Sequence, residues 1–216
     1  CGISSIGTTG YVLMGNGASV SSYQGFLQAG TGAVTRTWQN KARDSANLLD
    51  FASGITCDGT TDITAAINAA ETALAAAGGQ ILQFPAGTCI VTGVTKRSGT
   101  IWQGVGIGST IIKLKASTTA NAVVQGLDAY TLFGTSSFSG IENWEIRDLT
   151  IDGNRQNSGA ADCLGVYGWA WKVNRVELQN CTGWGLRTEY PIAGDGSLPD
   201  HGDNASSWFN DNLVHD

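Results

Sequence analysis

The residues best suited to chemistry are the carboxylates of the segment EYPIAGDGSLPDHGDNAS, residues 189–206. It holds Glu189, Asp195, Asp200 and Asp203 together with His201. Hydrolysis of a glycosidic bond uses two carboxyl groups, roughly 5–5.5 Å apart for retention and roughly 6.5–9.5 Å for inversion. A long insertion on a rigid scaffold is a frequent carrier of such groups. Asp195, Asp200 and Asp203 are therefore the catalytic candidates. The same oxygens suit a calcium ion, and the same composition suits a solvated loop. Asp148, Asp152 and Glu177 lie on repeating strand segments and form a second set.

Aromatic residues offer a different chemistry. In VYGWAWK, residues 166–172, Tyr167, Trp169 and Trp171 alternate. A strand would place all three on one face. Trp184 follows in the next segment. Such rings present apolar area to a sugar while keeping a polar tip, so Tyr167, Trp169, Trp171 and Trp184 are the carbohydrate-binding candidates. Packing inside a solenoid or between subunits is the other use of such a stripe.

Other motifs read as structure. Asp58-Gly-Thr-Thr-Asp62 is turn chemistry leading into a helix cap, with too few oxygens for calcium. Gly104-Val-Gly-Ile-Gly108 opens no helix, so the dinucleotide-binding context is missing. Phe84-Pro-Ala-Gly87 is a corner between strands. The five cysteines, Cys1, Cys57, Cys89, Cys163 and Cys181, are odd in number and widely spaced. They are expected to be free thiols, with Cys163 and Cys181 buried. No metal and no cofactor is expected.

Positioning these groups falls to a β-rich framework. Charged residues are 14% and hydrophobic residues 42%, against about 25% charged in ordinary domains. Net charge is −6. There is no basic run for a phosphate backbone, so nucleic acid is not an expected partner. No apolar stretch reaches the ~20 residues of a membrane span. Residues 62–77, DITAAINAAETALAAA, carry Ile63, Ile67, Ala70 and Leu74 at helical spacing, with Gly78-Gly79 as the stop. After them come short apolar runs at 80–84, 88–92, 100–104, 110–115 and 122–126, which read as strands. Then a degenerate repeat appears. Ile146-Arg-Asp-Leu-Thr-Ile-Asp-Gly-Asn154, Val173-Asn-Arg-Val-Glu-Leu-Gln-Asn-Cys181 and Phe209-Asn-Asp-Asn-Leu-Val-His-Asp216 recur at offsets of 27 and 36 residues. Periods in this range, without helices between, select a β-solenoid. The helix is expected to cap its N-terminal end. The other end has no cap, so the natural protein is expected to be longer. Residues 1–35 carry no charge yet keep large apolar residues, which fits burial against other chains.

Residues 32–93, GAVTRTWQNKARDSANLLDFASGITCDGTTDITAAINAAETALAAAGGQILQFPAGTCIVTG, resemble the leading region of bacteriophage tailspike and tail-fibre proteins. There a charged neck, an extended strand, a DGTTD-type helix and an FPAGT strand follow in this order. The helix and FPAGT blocks also open many pectate-lyase-like β-helices; the neck, residues 32–44, points to phage. The resemblance covers roughly residues 30–155. This chain departs at Ile63, where a second Asp is frequent, and at Cys89, where Tyr is common.

The resemblance implies an all-β fold: a right-handed, single-stranded parallel β-helix with an N-terminal capping α-helix, assembled as a homotrimer. It divides the chain into a virion-attachment segment at 1–35, a neck and leading strand at 36–61, and a capping helix with the first rungs at 62–216. The implied function is a tailspike or tail fibre that mounts on the phage tail, baseplate or adaptor through residues 1–35 and recognises host surface polysaccharide. It would reside on the virion after assembly in the host cytoplasm. Relatives often depolymerise that polysaccharide as hydrolases or lyases, with the active site here expected outside this chain. A non-enzymatic fibre or adhesin of the same fold is the alternative. A secreted or lipidated bacterial polysaccharide lyase, with Cys1 as the lipid site, is another.

Overall fold

A computed structural model describes residues 26–27, 29–51, 57–134, 140–189 and 208–215. The chain divides into two compact units, Cys1–Asp44 and Ser45–Asp216.

In the first unit, β1 (Phe26–Leu27) and β2 (Thr35–Arg36) pair antiparallel. Helix α1 (Trp38–Ala42) follows. The Thr37 hydroxyl accepts from the Asn40 amide and caps it, satisfying a donor that the first helical turn leaves open. Asp44 closes the unit by pairing with Arg36 and with Lys41 at 2.8 Å. Both bridges are exposed, and exposed pairs contribute little stability.

The second unit winds as a parallel coil. Its first turn is β3 (Ala46–Asn47), β4 (Asp58–Asp62) and helix α2 (Thr64–Ala76). The next turns run β5 (Ile81–Gln83), β6 (Gly87–Val91) and β7 (Val94–Lys96), then β8 (Ile101–Gln103), β9 (Thr110–Leu114), β10 (Ala122–Gly126) and short helix α3 (Ala129–Leu132). After these come β11 (Ile141–Glu142), β12 (Glu145–Asp152) and β13 (Asp162–Trp169), then β14 (Lys172–Gln179) and β15 (Leu186–Glu189), and last β16 (Trp208–Asn210) and β17 (Leu213–His215). The pairings within this unit are parallel. They gather into a 10-stranded sheet, in which β12 and β14 run through two stacks, and a 5-stranded sheet of β7, β10, β11, β13 and β15. This is a parallel β-helix-like fold.

The core consists of aligned rows. Leu82, Trp102, Ile146 and Val173 face one another from strand to strand, as do Ile112, Ile151 and Leu178, and Val94, Val124 and Leu164. Each is fully buried. Burial of one such side chain contributes about 1.5–3 kcal/mol. Every turn of the coil adds to the same rows, so the core grows along one direction only. Helix α2 lays Ile67, Ala70 and Leu74 against this core.

Corners are set by left-handed residues. Asp148 and Arg175, at φ 59° and 50°, stand at matching places in β12 and β14, between the paired residues Arg147–Asn174 and Leu149–Val176. Asp211, at φ 53°, continues the corner after β16. Asp and Asn tolerate this conformation better than most residues, and they supply two of the three.

The cysteines correct the expectation of free thiols. Cys57 and Cys89 form a disulfide, and so do Cys163 and Cys181. Coiling explains why spacing did not reveal the pairs. Cys57 and Cys89 flank the registered pair Asp58–Thr88 on adjacent strands, and Cys163 and Cys181 come together across a turn, with Cα atoms 5.4 Å apart.

Candidate functional site

The outer surface of the sheet containing β10, β13 and β15 holds the most chemically equipped cluster among the described residues. Its centre is a glycine. Gly165 lies in the middle of β13, and a Cβ there would stand 2.4 Å from the Tyr130 hydroxyl oxygen. Glycine inside a strand often marks such a close approach. It lets α3 lie flat on β13, with the Tyr130 ring over the strand and Phe133 beside it, ring centroids 4.9 Å apart.

Two side chains complete the arrangement. The Tyr130 hydroxyl donates to the Asp162 carboxylate, which also accepts from the Trp184 backbone N–H at 2.7 Å. Asp162 is only 7% exposed. From the next strand Arg187, registered beside Gly165, places its guanidinium 4.3 Å from the Phe133 ring centre and 5.6 Å from that of Tyr130. Burial raises the Tyr130 pKa above the usual phenol value, and the Asp162 hydrogen bond and charge raise it further, against a smaller lowering by Arg187. Tyr130 therefore stays protonated at neutral pH, its proton held on Asp162, while the lone pairs of its oxygen can accept a hydrogen bond. The guanidinium over these two rings adds a cation–π contact that fixes α3 against β15. Trp184 stands alongside at 68% exposure, a surface on which a sugar ring can stack.

The structure separates the aromatic candidates. Trp184 is the exposed one. Trp169 is half-buried. Tyr167 is fully buried, edge-on to Phe133 at 6.1 Å. Trp171 is 3% exposed and stacks on Trp144 at 5.7 Å. The expected common face of Tyr167, Trp169 and Trp171 does not form, because Gly168 (φ 146°) and Ala170 (φ 52°) break the alternation. Tyr167 and Trp171 offer no face to a ligand.

Asp195, Asp200 and Asp203, with His201, lie outside the described residues. The second carboxylate set is engaged. Asp148 holds Arg175. Asp152 pairs with Lys113 at 3.2 Å. Glu177 accepts from Thr150 at 2.8 Å and meets His215 at 3.1 Å. Sequence reasoning missed Tyr130, Asp162 and Arg187, which come from three distant segments. The available signal was Gly165 within the apolar run Leu164–Val166.

Comparison with known proteins agrees with this architecture. Residues 46–182 match the family described as Rhamnogalacturonase A/epimerase, pectate lyase-like. The chain belongs to that family. Among its relatives, the mannuronan C5-epimerase AlgE3 of Azotobacter vinelandii is 34% identical over 161 residues, 65% of this chain and 8% of that protein. AlgE4 of the same organism is 32% identical over 164 residues, 65% of this chain and 27% of its own length. The chain thus spans a small part of the epimerases it matches. The solved A-module of AlgE4 superposes with a TM-score of 0.55 at 26% identity, covering 68% of this chain and 42% of the module. ORF18 of Geobacillus virus E2 shares the fold, with a TM-score of 0.54 at 23% identity over 68% of this chain and 28% of that one.

Proposed function

We propose that this chain is a polysaccharide-modifying β-helix domain whose working surface is the Tyr130–Asp162–Arg187–Trp184 cluster. The observation that carries the reading is the protonated Tyr130 hydroxyl fixed on a nearly buried carboxylate beside a stacked guanidinium. In this reading the positive charge of Arg187 favours an acidic sugar, Trp184 stacks on a neighbouring ring, and the Tyr130 oxygen, held by its bond to Asp162, accepts a hydrogen bond from a sugar hydroxyl and so orients the reacting ring. The likeness to mannuronan C5-epimerases supports a sugar-acid substrate. The test is incubation of the protein with a panel of acidic polysaccharides, read by NMR for changed stereochemistry or new reducing or unsaturated ends. Binding without any change of product would favour a non-enzymatic fibre or adhesin.

The sequence resemblance supports a finer reading, in which this domain belongs to a phage tailspike or tail fibre. There residues 1–35 would join a homotrimer to the tail, and α2 would close the N-terminal end of a right-handed solenoid. Residues 1–25 and 28 lie outside the described residues, so the support is their uncharged sequence. Deleting residues 1–35 should leave a folded domain that no longer joins particles; assembly of the deleted protein onto virions would refute the tail mounting.

The two disulfides favour a second reading, a secreted bacterial polysaccharide lyase, because such bonds persist in oxidising compartments. A lipid on Cys1 in mass spectrometry of the native protein would decide for it.

A further inference from the structure

A second surface, on the other sheet, has a separate design. On β9 the residues alternate strictly: Ile112 and Leu114 point into the core, while Ile111 and Lys113 point outward, and Lys115, just past the strand, is exposed. Register carries the outward residues across four strands. Asp62, Ile90, Lys113 and Asp152 form one row over β4, β6, β9 and β12, and Thr88, Ile111 and Thr150 form the next. At a strand spacing of ~4.8 Å the longer row runs about 14 Å along the solenoid. Thr60 at one side and Ala116 and Asn157 at the other help to line a cleft of about 460 Å³, within the range of roughly 300–1,000 Å³ typical of small-molecule sites.

The electrostatics of this cleft are balanced. Lys113 pairs with Asp152 at 3.2 Å, and Lys115 pairs with Asp62 at 3.3 Å. Each lining ammonium group is paired with a carboxylate, Lys113 with Asp152 in the lining and Lys115 with Asp62 beyond it, on a protein whose net charge is −6. A polyanion would have to displace those carboxylates and approach a like-charged molecule. Hydroxyl groups need no such displacement. They donate to carboxylates and accept from ammonium and amide N–H groups while the pairs stay intact. Asn154 is held by its own bond to the Leu114 carbonyl at 2.9 Å, and it anchors the Asn157 amide at 3.1 Å. Ile90 and Ile111 supply the apolar floor for the C–H face of a pyranose.

We infer that this cleft binds a stretch of neutral oligosaccharide, as a site separate from the Tyr130 cluster. The experiment is an amide-resolved NMR titration of the protein with neutral trisaccharides of glucose, mannose and galactose, and with a trimeric uronate as comparator. At least one neutral trisaccharide should shift Thr60, Ile111, Lys113 and Asn157, and the uronate should leave them unmoved. Ala116 is exposed, so Ala116→Trp fills the cleft without touching the core. It should weaken that binding about tenfold or more, a loss of at least ~1.4 kcal/mol, with an unchanged thermal melt. Trp184→Ala should keep it, so failure here is distinguishable from failure of the Tyr130 site. The inference is overturned if none of the neutral trisaccharides shifts these residues, if the uronate does, or if Ala116→Trp binds as tightly as the parent.

Discussion

Lys96 and Glu71 meet inside the protein, Nζ to Oε1 at 3.4 Å, with neither side chain exposed. The Glu71 carboxylate, carried by α2, also accepts from the Arg97 amide at 2.8 Å, the Thr100 hydroxyl at 2.9 Å and the Trp102 indole. Helix α2 is thereby tied to the sheet by a polar network set within an apolar core. Such a pair is weak evidence of net stabilisation, but removing one partner strands a buried charge, at about 3–5 kcal/mol. Lys96→Met should therefore destabilise by that amount in denaturant unfolding. Glu71→Leu combined with Lys96→Met should recover much of the loss. A silent single variant would contradict the network.

The same lysine gives a pH dependence. Desolvation lowers its pKa from 10.5 to about 8, against the raising effect of Glu71. Between those values the unfolded chain holds the extra proton. The contribution of Lys96 to unfolding free energy therefore rises with pH through that window. Measured stability from about pH 8 to 10, compared with Lys96→Met, should show a rising component that the variant lacks.

The disulfides predict thiol chemistry. Cys57, Cys89, Cys163 and Cys181 should react with an alkylating reagent only after reduction. Replacing Cys163 and Cys181 by serine should cost about 2–4 kcal/mol. Rapid labelling of the native, unreduced protein at these positions would contradict the bridges.

Ile67 on α2 is fully buried. Ile67→Ala should cost about 2–5 kcal/mol by removing core volume. An unchanged melting temperature would show that α2 does not bear on the coil.

Much of the coil was legible in the sequence. The repeat offsets are the pairing itself: Ile146, Val173 and Phe209 stand opposite one another on β12, β14 and β16. The runs at 80–84, 88–92, 100–104, 110–115 and 122–126 contain or overlap β5, β6, β8, β9 and β10, because alternation and turn residues are local properties. Helix 62–77 appears as Thr64–Ala76. What was not legible depends on which turn of the coil lies over which. The two disulfides, the meeting of Tyr130 with Asp162, and Arg187 over Phe133 join residues far apart in sequence. The aromatic stripe failed for a local reason, since period two holds only while the backbone stays extended, and Ala170 is left-handed.

The central claim is that Tyr130, fixed on Asp162, takes part in changing a polysaccharide. The most direct measurement compares product formation on an acidic polysaccharide by the protein, by Tyr130→Phe and by Gly165→Ala, which pushes the Tyr130 ring away. Misplacing the reacting group by ~1 Å can cost about 10²-fold in rate. Tyr130→Phe should lose activity on that order with substrate binding retained, and Gly165→Ala should fall with it. If Tyr130→Phe turns over substrate at the parent rate, the cluster is not the site of chemistry.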